Sequence, residues 1–357
     1  MRLGILTGGG DAPGLNAVIR AIVRASMRHY GWPAVLGIPE GFKGLVEKLP
    51  PIELTPYTTR GLINRGGTIL HTTNRSNPFQ YPVGNGQYAD RSEVVLERVE
   101  ELGIDALIIL GGDGSLSIAH RLAEKGLKVI GAPKTIDNDV RGTEVCFGHA
   151  TAVATATDAL DKLHTTAESH HRVIVVEMMG RYAGWIALRA GLAGAADAIL
   201  LPEIPFDVEK LCKGLNERAA EGSPFSLVAV AEGAKPKDGD IATLQSETGV
   251  YQPRLGGMGG QVADKLQECT ELETRLTVLG HVQRGGSPIA EDRLLATQYG
   301  VAAVDALARG EKDCMVSVNH ERLKTVPLAD VVGSFRPVPN DHPLLEGARE
   351  TGVILAE

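Results

Sequence analysis

The chain predicts an α/β fold, two α/β domains with largely parallel sheets, on three observations. Short apolar runs alternate with stretches of helical periodicity. Some runs, such as Ala106 to Leu110, are apolar without alternation, as strands buried on both faces of a parallel sheet are. Glycine is abundant, 43 of 357 residues, and much of it directly follows the apolar runs, which is how such proteins bring backbone close to a ligand. A chain of this length also exceeds what one core commonly serves, so two domains are expected.

Arg2 to Leu6 reads as a first strand, followed by Thr7-Gly8-Gly9-Gly10-Asp11-Ala12-Pro13-Gly14. Asn16 then caps a helix to about His29, with Ala17, Val18, Ala21 and Ile22 on its packed face. Strand, glycine-rich turn and helix form an arrangement in which backbone N–H groups receive phosphate. The spacing is neither GxGxxG nor a Walker motif, so the turn reads equally as a plain tight turn. Ala34 to Ile38 is a second strand, and the proline-rich Pro50 to Pro56 a surface connection. Arg65-Gly66-Gly67-Thr68 and His71-Thr72-Thr73-Asn74-Arg75 read, by themselves, as a solvated loop. Val94, Val95, Val99 and Leu102 mark one face of a helix.

A second strand–glycine–helix unit follows. Ala106 to Leu110 ends in Gly111-Gly112-Asp113-Gly114-Ser115 and enters a helix to about Lys125. Asp113 there is a candidate Mg²⁺ ligand, and the small residues leave room for a large anion. The third unit is the strand Lys128 to Gly131 and the turn Ala132-Pro133-Lys134-Thr135-Ile136-Asp137-Asn138-Asp139, with Pro133 stopping the strand. Asp137 and Asp139 can reach one cleft, one to take a proton from a hydroxyl and the other to hold charge or a metal. Three such turns on one sheet would share the crevice outside the strand carboxyl ends.

Beyond Phe147 the composition shifts to Ala and Thr, and Thr151 to Leu163 reads as a long helix. Arg172 to Met179, Ala198 to Leu201, Leu227 to Val230 and Arg275 to Gly280 are strands of a second α/β domain, with Lys235 to Arg254 a mobile polar loop. Arg172, Arg181, Arg275 and Arg284 lie at or beside strand ends, and four such planar cations suggest a phosphorylated substrate.

Composition narrows the partners. With 43% hydrophobic and 22% charged residues the chain is an ordinary globular protein. Its formal net charge of -8, and the lack of basic blocks interleaved with aromatics, argue against nucleic acid. No apolar run approaches the ~20 residues of a membrane span, and Met1 leads straight into a strand, so no membrane partner and no signal peptide are expected. Cys146, Cys212, Cys269 and Cys314 show no metal spacing and no disulfide framework, which predicts reduced thiols and a cytoplasmic setting.

The set Thr7 to Asp11, Gly111 to Ser115, Pro133 to Asp139, Met179 to Arg181 and Gly280 to Pro288, in this order, resembles the 6-phosphofructokinases of the bacterial type along nearly the whole chain. The resemblance implies an active site in a cleft between two domains. Residues 1–148 plus about 283–335 would form a larger donor domain, and about 149–282 plus 336–357 a smaller sugar-phosphate domain. The implied reaction is phosphoryl transfer from ATP to the 1-hydroxyl of fructose 6-phosphate, with Mg²⁺. Asp137 resembles the base, with Thr135 and Asp139 as neighbours on the sugar and metal side and Asp113 as the Mg²⁺ ligand. Gly10, Arg75, Gly112, Gly114, Ser115 and Lys134 resemble the donor site. Arg181 resembles the stabiliser of transferring charge, and Met179, Gly180, Glu232, His281 and Arg284 the sugar-phosphate contacts. Arg172 and Arg275 resemble residues that complete a neighbouring subunit's site, which implies a homo-oligomer, dimer or tetramer.

Two positions divide the donor assignment. Glycine at 114 matches ATP-using members, because an aspartate there would crowd and repel the nucleotide's α-phosphate. Lysine at 134 matches pyrophosphate-using members. A branch of ATP-using members resembles this chain in carrying both, and steric exclusion outweighs added attraction, so ATP is expected and pyrophosphate is the alternative. Arg20 and Arg24 match two effector-site arginines of regulated members, whereas His164 and the turn Glu221-Gly222-Ser223 lack the matching Arg and Lys. A non-catalytic sugar-phosphate sensor would be expected to have lost Asp113, Asp137 or Arg181, all present here. A nicotinamide-dependent dehydrogenase would want the missing GxGxxG.

Overall fold

The computed structural model describes residues 1–245 and 254–357. In chain order the strands are β1 (Arg2–Thr7), β2 (Ala34–Ile38), β3 (Ile52–Leu54), β4 (Tyr81–Gly84), β5 (Gln87–Ala89), β6 (Ala106–Gly111), β7 (Val129–Pro133), β8 (Arg172–Met178), β9 (Ala198–Leu200), β10 (Ser226–Ala231), β11 (Thr243–Gln245), β12 (Arg254–Leu255), β13 (Glu273–Val278), β14 (Cys314–Asn319) and β15 (Arg322–Pro327). The helices are α1 (Leu15–Arg24), α2 (Phe42–Val46), α3 (Ser92–Glu101), α4 (Asp113–Glu124), α5 (His149–His170), α6 (Trp185–Ala193), α7 (Val208–Ala220), α8 (Met258–Cys269), α9 (Ala290–Ala308) and α10 (Pro343–Glu350). Two compact units result, Met1–Thr151 with Arg284–Phe335, and Ala152–Gln283 with Arg336–Glu357.

The first unit is built on a seven-stranded sheet in the order β15-β14-β7-β6-β1-β2-β3. Its inner strands are parallel, and β3 and β15 join antiparallel at the edges. Side chains alternate across the sheet, so each apolar strand feeds two cores. Leu3, Ile5, Ile108 and Leu110 pack with Leu15, Val18 and Ile22 of α1 and with Tyr299, Ala303 and Leu307 of α9. Leu6, Leu107 and Ile109 pack on the other face with Val95 and Val99 of α3 and Leu116, Ala119 and Leu122 of α4. All six residues of β6 are buried, and burying each Ile or Leu contributes about 1.5–3 kcal/mol. That two-sided burial accounts for the unbroken apolar run and holds the carboxyl ends of β1, β6 and β7 side by side.

The second unit has a four-stranded parallel sheet, β13-β8-β10-β9, with Glu273 beside Arg172 in the register of β13 and β8. Ile199 donates to the Ile354 carbonyl, so the C-terminal segment extends the sheet beyond β9. Asp207 caps α7 by accepting from the Glu209 and Lys210 N–H groups at 3.0 and 3.2 Å. Among the described residues no helix is long and apolar enough to cross a membrane.

Several local expectations are corrected. Asn16 does not cap α1: Gly14 stands at the N-cap, with φ +101°. Asn16 is instead buried and ties the loop below it to the helix, donating to the Arg65 and Gly66 carbonyls and accepting from Ile69 N–H. The α-helical geometry ends at Arg24, and Ala25–His29 continues as a wider π-helical turn. The proline-rich connection contains β3, which its prolines confine to a sheet edge. The long helix starts earlier and runs on to His170. Lys235 to Arg254 is not all loop, since β11 pairs with β12; residues 246–253 of that expectation lie outside the described residues. The largest correction concerns cysteine: Cys212 and Cys269 form a disulfide between α7 and the end of α8, while Cys146 and Cys314 are buried and outside that bond. The spacing could not announce this pair, because 57 residues separate cysteines that only the packing of α7 on α8 brings together.

Candidate functional site

Three strand ends of the first unit are stitched together by backbone. Gly8 N–H donates to the Leu110 carbonyl at 2.9 Å, and Lys134 N–H donates to that of Gly111 at 3.0 Å. Ser115 lies between them, and the glycines exist to admit it: a Cβ on Gly8 would sit 2.4 Å from its Oγ, and one on Gly111 2.3 Å from its Cβ. Gly10 leaves room for Arg284, whose Nη1 donates to the Asp11 carbonyl at 3.0 Å. The loop read as solvated is tied in as well. Thr72 donates to the Gly9 carbonyl at 2.6 Å, Thr7 to the His71 carbonyl at 2.6 Å, and Gly9 N–H to the Thr73 carbonyl at 3.3 Å. Arg75 lies exposed two residues further on.

The start of α4 faces this assembly from β6. Gly112 is its N-cap and supplies no side-chain cap, so the first-turn N–H groups and the helix dipole are available to an anion. A Cβ on Gly114 would touch nothing within 4 Å and its φ is ordinary, so packing does not demand glycine there. Asp113, half-buried, opens the helix.

The turn after β7 holds the acids. Asp137 is 4% exposed, and its Oδ1 is buried without a hydrogen-bond partner among the described residues. Its N–H donates to Thr135 Oγ1 at 3.1 Å. Asn138 takes the left-handed conformation, φ +57°, and its Oδ1 accepts from Cys146 N–H at 2.9 Å. His149 Nδ1 donates to the Ile136 carbonyl at 2.7 Å. Neighbouring side chains thus hold the backbone of this turn, and Asp137 Oδ1 is left without a hydrogen-bond partner among the described residues. Asp139 follows, half-buried. Lys134 is 3% exposed and donates to the Gly10 carbonyl. Burial first, and then the nearby Arg284, lower its pKa to about 8, against the opposing pull of Asp137, Asp11 and Asp139.

The second unit carries the remaining candidates. Gly180 and Arg181 N–H groups donate to Glu232 Oε1 at 3.3 and 3.0 Å, with Arg181 at φ +52°. Gly233 permits this, since a Cβ there would meet the Arg181 carbonyl at 1.9 Å. Glu203 grips the far end of the same segment, accepting from Gly184 N–H at 2.9 Å and from Val338 N–H at 2.8 Å. Met179 is half-buried and His281 exposed. Arg172 and Arg275 both bond Glu273, one to each carboxylate oxygen. His164 stacks edge-on against Phe225. Arg20 and Arg24 lie one turn apart on α1 of the first unit, and burial followed by the charge of Arg24 lowers the Arg20 pKa.

The candidates thus divide between the units. Gly10, Arg75, Gly112, Asp113, Gly114, Ser115, Lys134, Thr135, Asp137, Asp139 and Arg284 belong to the first, and Arg172, Met179, Gly180, Arg181, Glu232, Arg275 and His281 to the second. Sequence reading missed Asn138, His149, Glu177 and Glu203, which act on backbone. No motif spacing marks such residues. Only the Asn at a turn and a Glu inside an apolar strand hinted at them.

A family model described as phosphofructokinase matches residues 2–307. The ATP-dependent 6-phosphofructokinase of Chloroflexus aggregans is 48% identical over 100% of this chain and 98% of its own. ATP-dependent 6-phosphofructokinase 1 of Synechocystis is 46% identical over 99% of this chain and 98% of its own. Among solved structures, the phosphofructokinase of Saccharomyces cerevisiae superposes with a TM-score of 0.78 at 32% identity, covering 92% of this chain and 45% of the yeast chain. A pyrophosphate-dependent phosphofructokinase from Nitrosospira multiformis reaches a TM-score of 0.82 at 21% identity over 95% of this chain and 86% of its own, a likeness of fold. The glycine-rich strand ends, the buried acid after β7 and the full-length matches agree, and the chain belongs to the phosphofructokinase family.

Proposed function

We propose that this protein is an ATP-dependent 6-phosphofructokinase, a kinase that transfers a phosphoryl group to the 1-hydroxyl of fructose 6-phosphate, giving fructose 1,6-bisphosphate and ADP in glycolysis. The observation that carries the reading is the buried carboxylate of Asp137, whose Oδ1 has no hydrogen-bond partner among the described residues, set in a turn whose strand end is bonded to the glycine-rich end of β6. A primary alcohol is a weak nucleophile, and Asp137 accepts its proton as the bond to phosphorus forms; such a base contributes ~10²–10⁴-fold. Thr135 and Asp139 flank it on the sugar and metal side.

The first unit is the donor domain. Gly10, Arg75, Gly112, Gly114, Ser115 and Lys134 receive the nucleotide phosphates, and the uncapped start of α4 supplies N–H donors to them. Positioning and charge neutralisation do most of the work in phosphoryl transfer. Among the described residues no cluster of three His, Cys, Asp or Glu could cage a metal. A lone carboxylate suits Mg²⁺ that arrives with nucleotide phosphates, and Asp113 would hold it. When bound, the ion neutralises phosphate charge.

The second unit is the sugar-phosphate domain. Arg181 stabilises transferring charge, its backbone fixed by Glu232. Met179, Gly180, Glu232, His281 and Arg284 contact the sugar phosphate. Arg172 and Arg275 complete the site of a neighbouring subunit in a homo-oligomer. The edge strand β13 supports assembly, because Leu276 and Val278 there are 43% and 54% exposed. The setting is cytoplasmic.

The donor is tested by turnover of fructose 6-phosphate with Mg²⁺ and either ATP or pyrophosphate at equal concentration. Activity with ATP is expected, and activity with pyrophosphate alone would overturn the assignment. The open space at Gly114 supports ATP, as do the names of the full-length relatives.

A further inference from the structure

We propose that Cys212 and Cys269 form a thiol–disulfide site whose oxidation state sets how firmly α8 holds the Met178–Arg181 segment. Cys212 lies in the second turn of α7 and Cys269 is the last residue of α8, so the bond pins the carboxyl end of one helix to the flank of the other. Asn216, one turn beyond Cys212, makes a second tie by donating to the Cys269 carbonyl at 3.0 Å.

The amino end of α8 is fixed by a buried acid. Glu177, 4% exposed, accepts from Gly257 N–H at 3.0 Å and from Gly259 N–H at 2.7 Å, standing in for the cap that the helix otherwise lacks. A Cβ on Gly259 would meet that of Glu177 at 2.9 Å, so the contact is too close for any side chain but hydrogen. Glu177 is the penultimate residue of β8, one residue before Met178 and four before Arg181. The loop closed by the disulfide also contains Glu232, which bonds the Gly180 and Arg181 N–H groups. One short helix therefore runs from a redox-sensitive bond to the base of the segment that carries Arg181. That this segment meets the sugar phosphate rests on the proposed function.

The chemistry balances with an external dithiol as reductant. Its thiolate attacks one sulfur, Cys269 being the more accessible, and Cys212 leaves as a thiolate that takes a proton. The second thiol of the reductant then displaces Cys269 and becomes part of a disulfide. Two electrons and two protons pass to the protein. The other thiols do not compete: Cys146 is fully buried, and burial, followed by Glu311 and Asp313, pushes the Cys314 thiol up to about 12, where it is inert.

The test uses the full chain purified without reductant. Alkylation with iodoacetamide after denaturation, read by mass spectrometry, should label Cys146 and Cys314 alone, and all four cysteines after dithiothreitol. Reduction should speed amide exchange in Gly257–Cys269 and raise the KM for fructose 6-phosphate at least about twofold, with the KM for ATP unchanged. Cys212→Ser and Cys269→Ser should each show the reduced values with or without dithiothreitol. Four labelled cysteines in the unreduced protein would overturn the proposal. So would unchanged exchange and KM on reduction, or a dithiothreitol response that survives in the serine variants. Should the protein transfer no phosphoryl group at all, the functional reading falls, while labelling and amide exchange still decide the redox site.

Discussion

Two turns of this molecule carry side chains of opposite charge and are held by different means. After β7, the turn carrying Asp137 is held by groups other than carboxylates, the Asn138 amide, the His149 ring and the Thr135 hydroxyl. After β8, the turn carrying Arg181 is held by carboxylates, Glu232 at its start and Glu203 at its end. An acid clamped by acids would be driven towards its protonated form, whereas acids that clamp backbone beside an arginine add attraction for the cation. Both turns use a left-handed residue, Asn138 and Arg181, but only the asparagine can bond locally to offset part of that strain. The contrast teaches that the groups clamping a turn's backbone differ with the charge that the turn carries.

The comparison can be broken at its centre. Asp137→Ser should lower kcat at least about 100-fold with little change in the KM for fructose 6-phosphate; near-normal turnover in a steady-state assay would remove Asp137 from the base role. Glu232→Gln keeps the shape and removes the charge, and should lower kcat/KM for the sugar phosphate by about 10-fold or more through loss of charge-assisted bonds to Gly180 and Arg181. Equal kinetics for variant and parent would show that the carboxylate clamp is dispensable.

Smaller effects sharpen the donor side. Gly114→Asp should raise the KM for ATP while the melting temperature stays put, because the added side chain meets only open space in the protein. A fall in melting temperature would instead make Gly114 a packing residue. The smallest effect concerns Lys134. Its folded pKa of about 8 lies below the ordinary value of 10.5, so the charge is present below pH 8 and lost above it. The KM for ATP should therefore rise between pH 7 and 9, and Lys134→Arg should flatten that rise. The sign for stability is the reverse: the cost of burying the charged amine is full below pH 8 and is relieved as pH climbs from about 8 towards 10.5.

Much of the donor side was legible because its signals are local. An apolar run, a glycine cluster and a helical period each lie within a dozen residues, and β1 and β6 follow from them almost residue by residue, whereas β7 runs two residues past Gly131 and takes in Pro133, which was read as stopping it. The solvated reading of His71 to Arg75 held for His71, Asn74 and Arg75, which are exposed, but not for the two threonines, for a physical reason. Thr72 and Thr73 look like surface residues until the Gly8–Gly10 turn comes up beside them and takes their hydrogen bonds. Asn16 misled in the same way: its position suited a cap, but Gly14 already turns the chain and frees the asparagine to reach Arg65 and Gly66.

The amino-acid sequence by itself determined the α/β class, the strand–glycine–helix units and the chemical groups at their ends, because backbone preference and side-chain burial act over neighbouring residues. Only the tertiary structure decided which oxygen of Asp137 stays unpartnered, that burial and Arg284 bring Lys134 to the edge of losing its charge, and that Cys212 finds Cys269. Each of these depends on groups brought together from distant parts of the chain, and desolvation and contact exist only once the layers have packed.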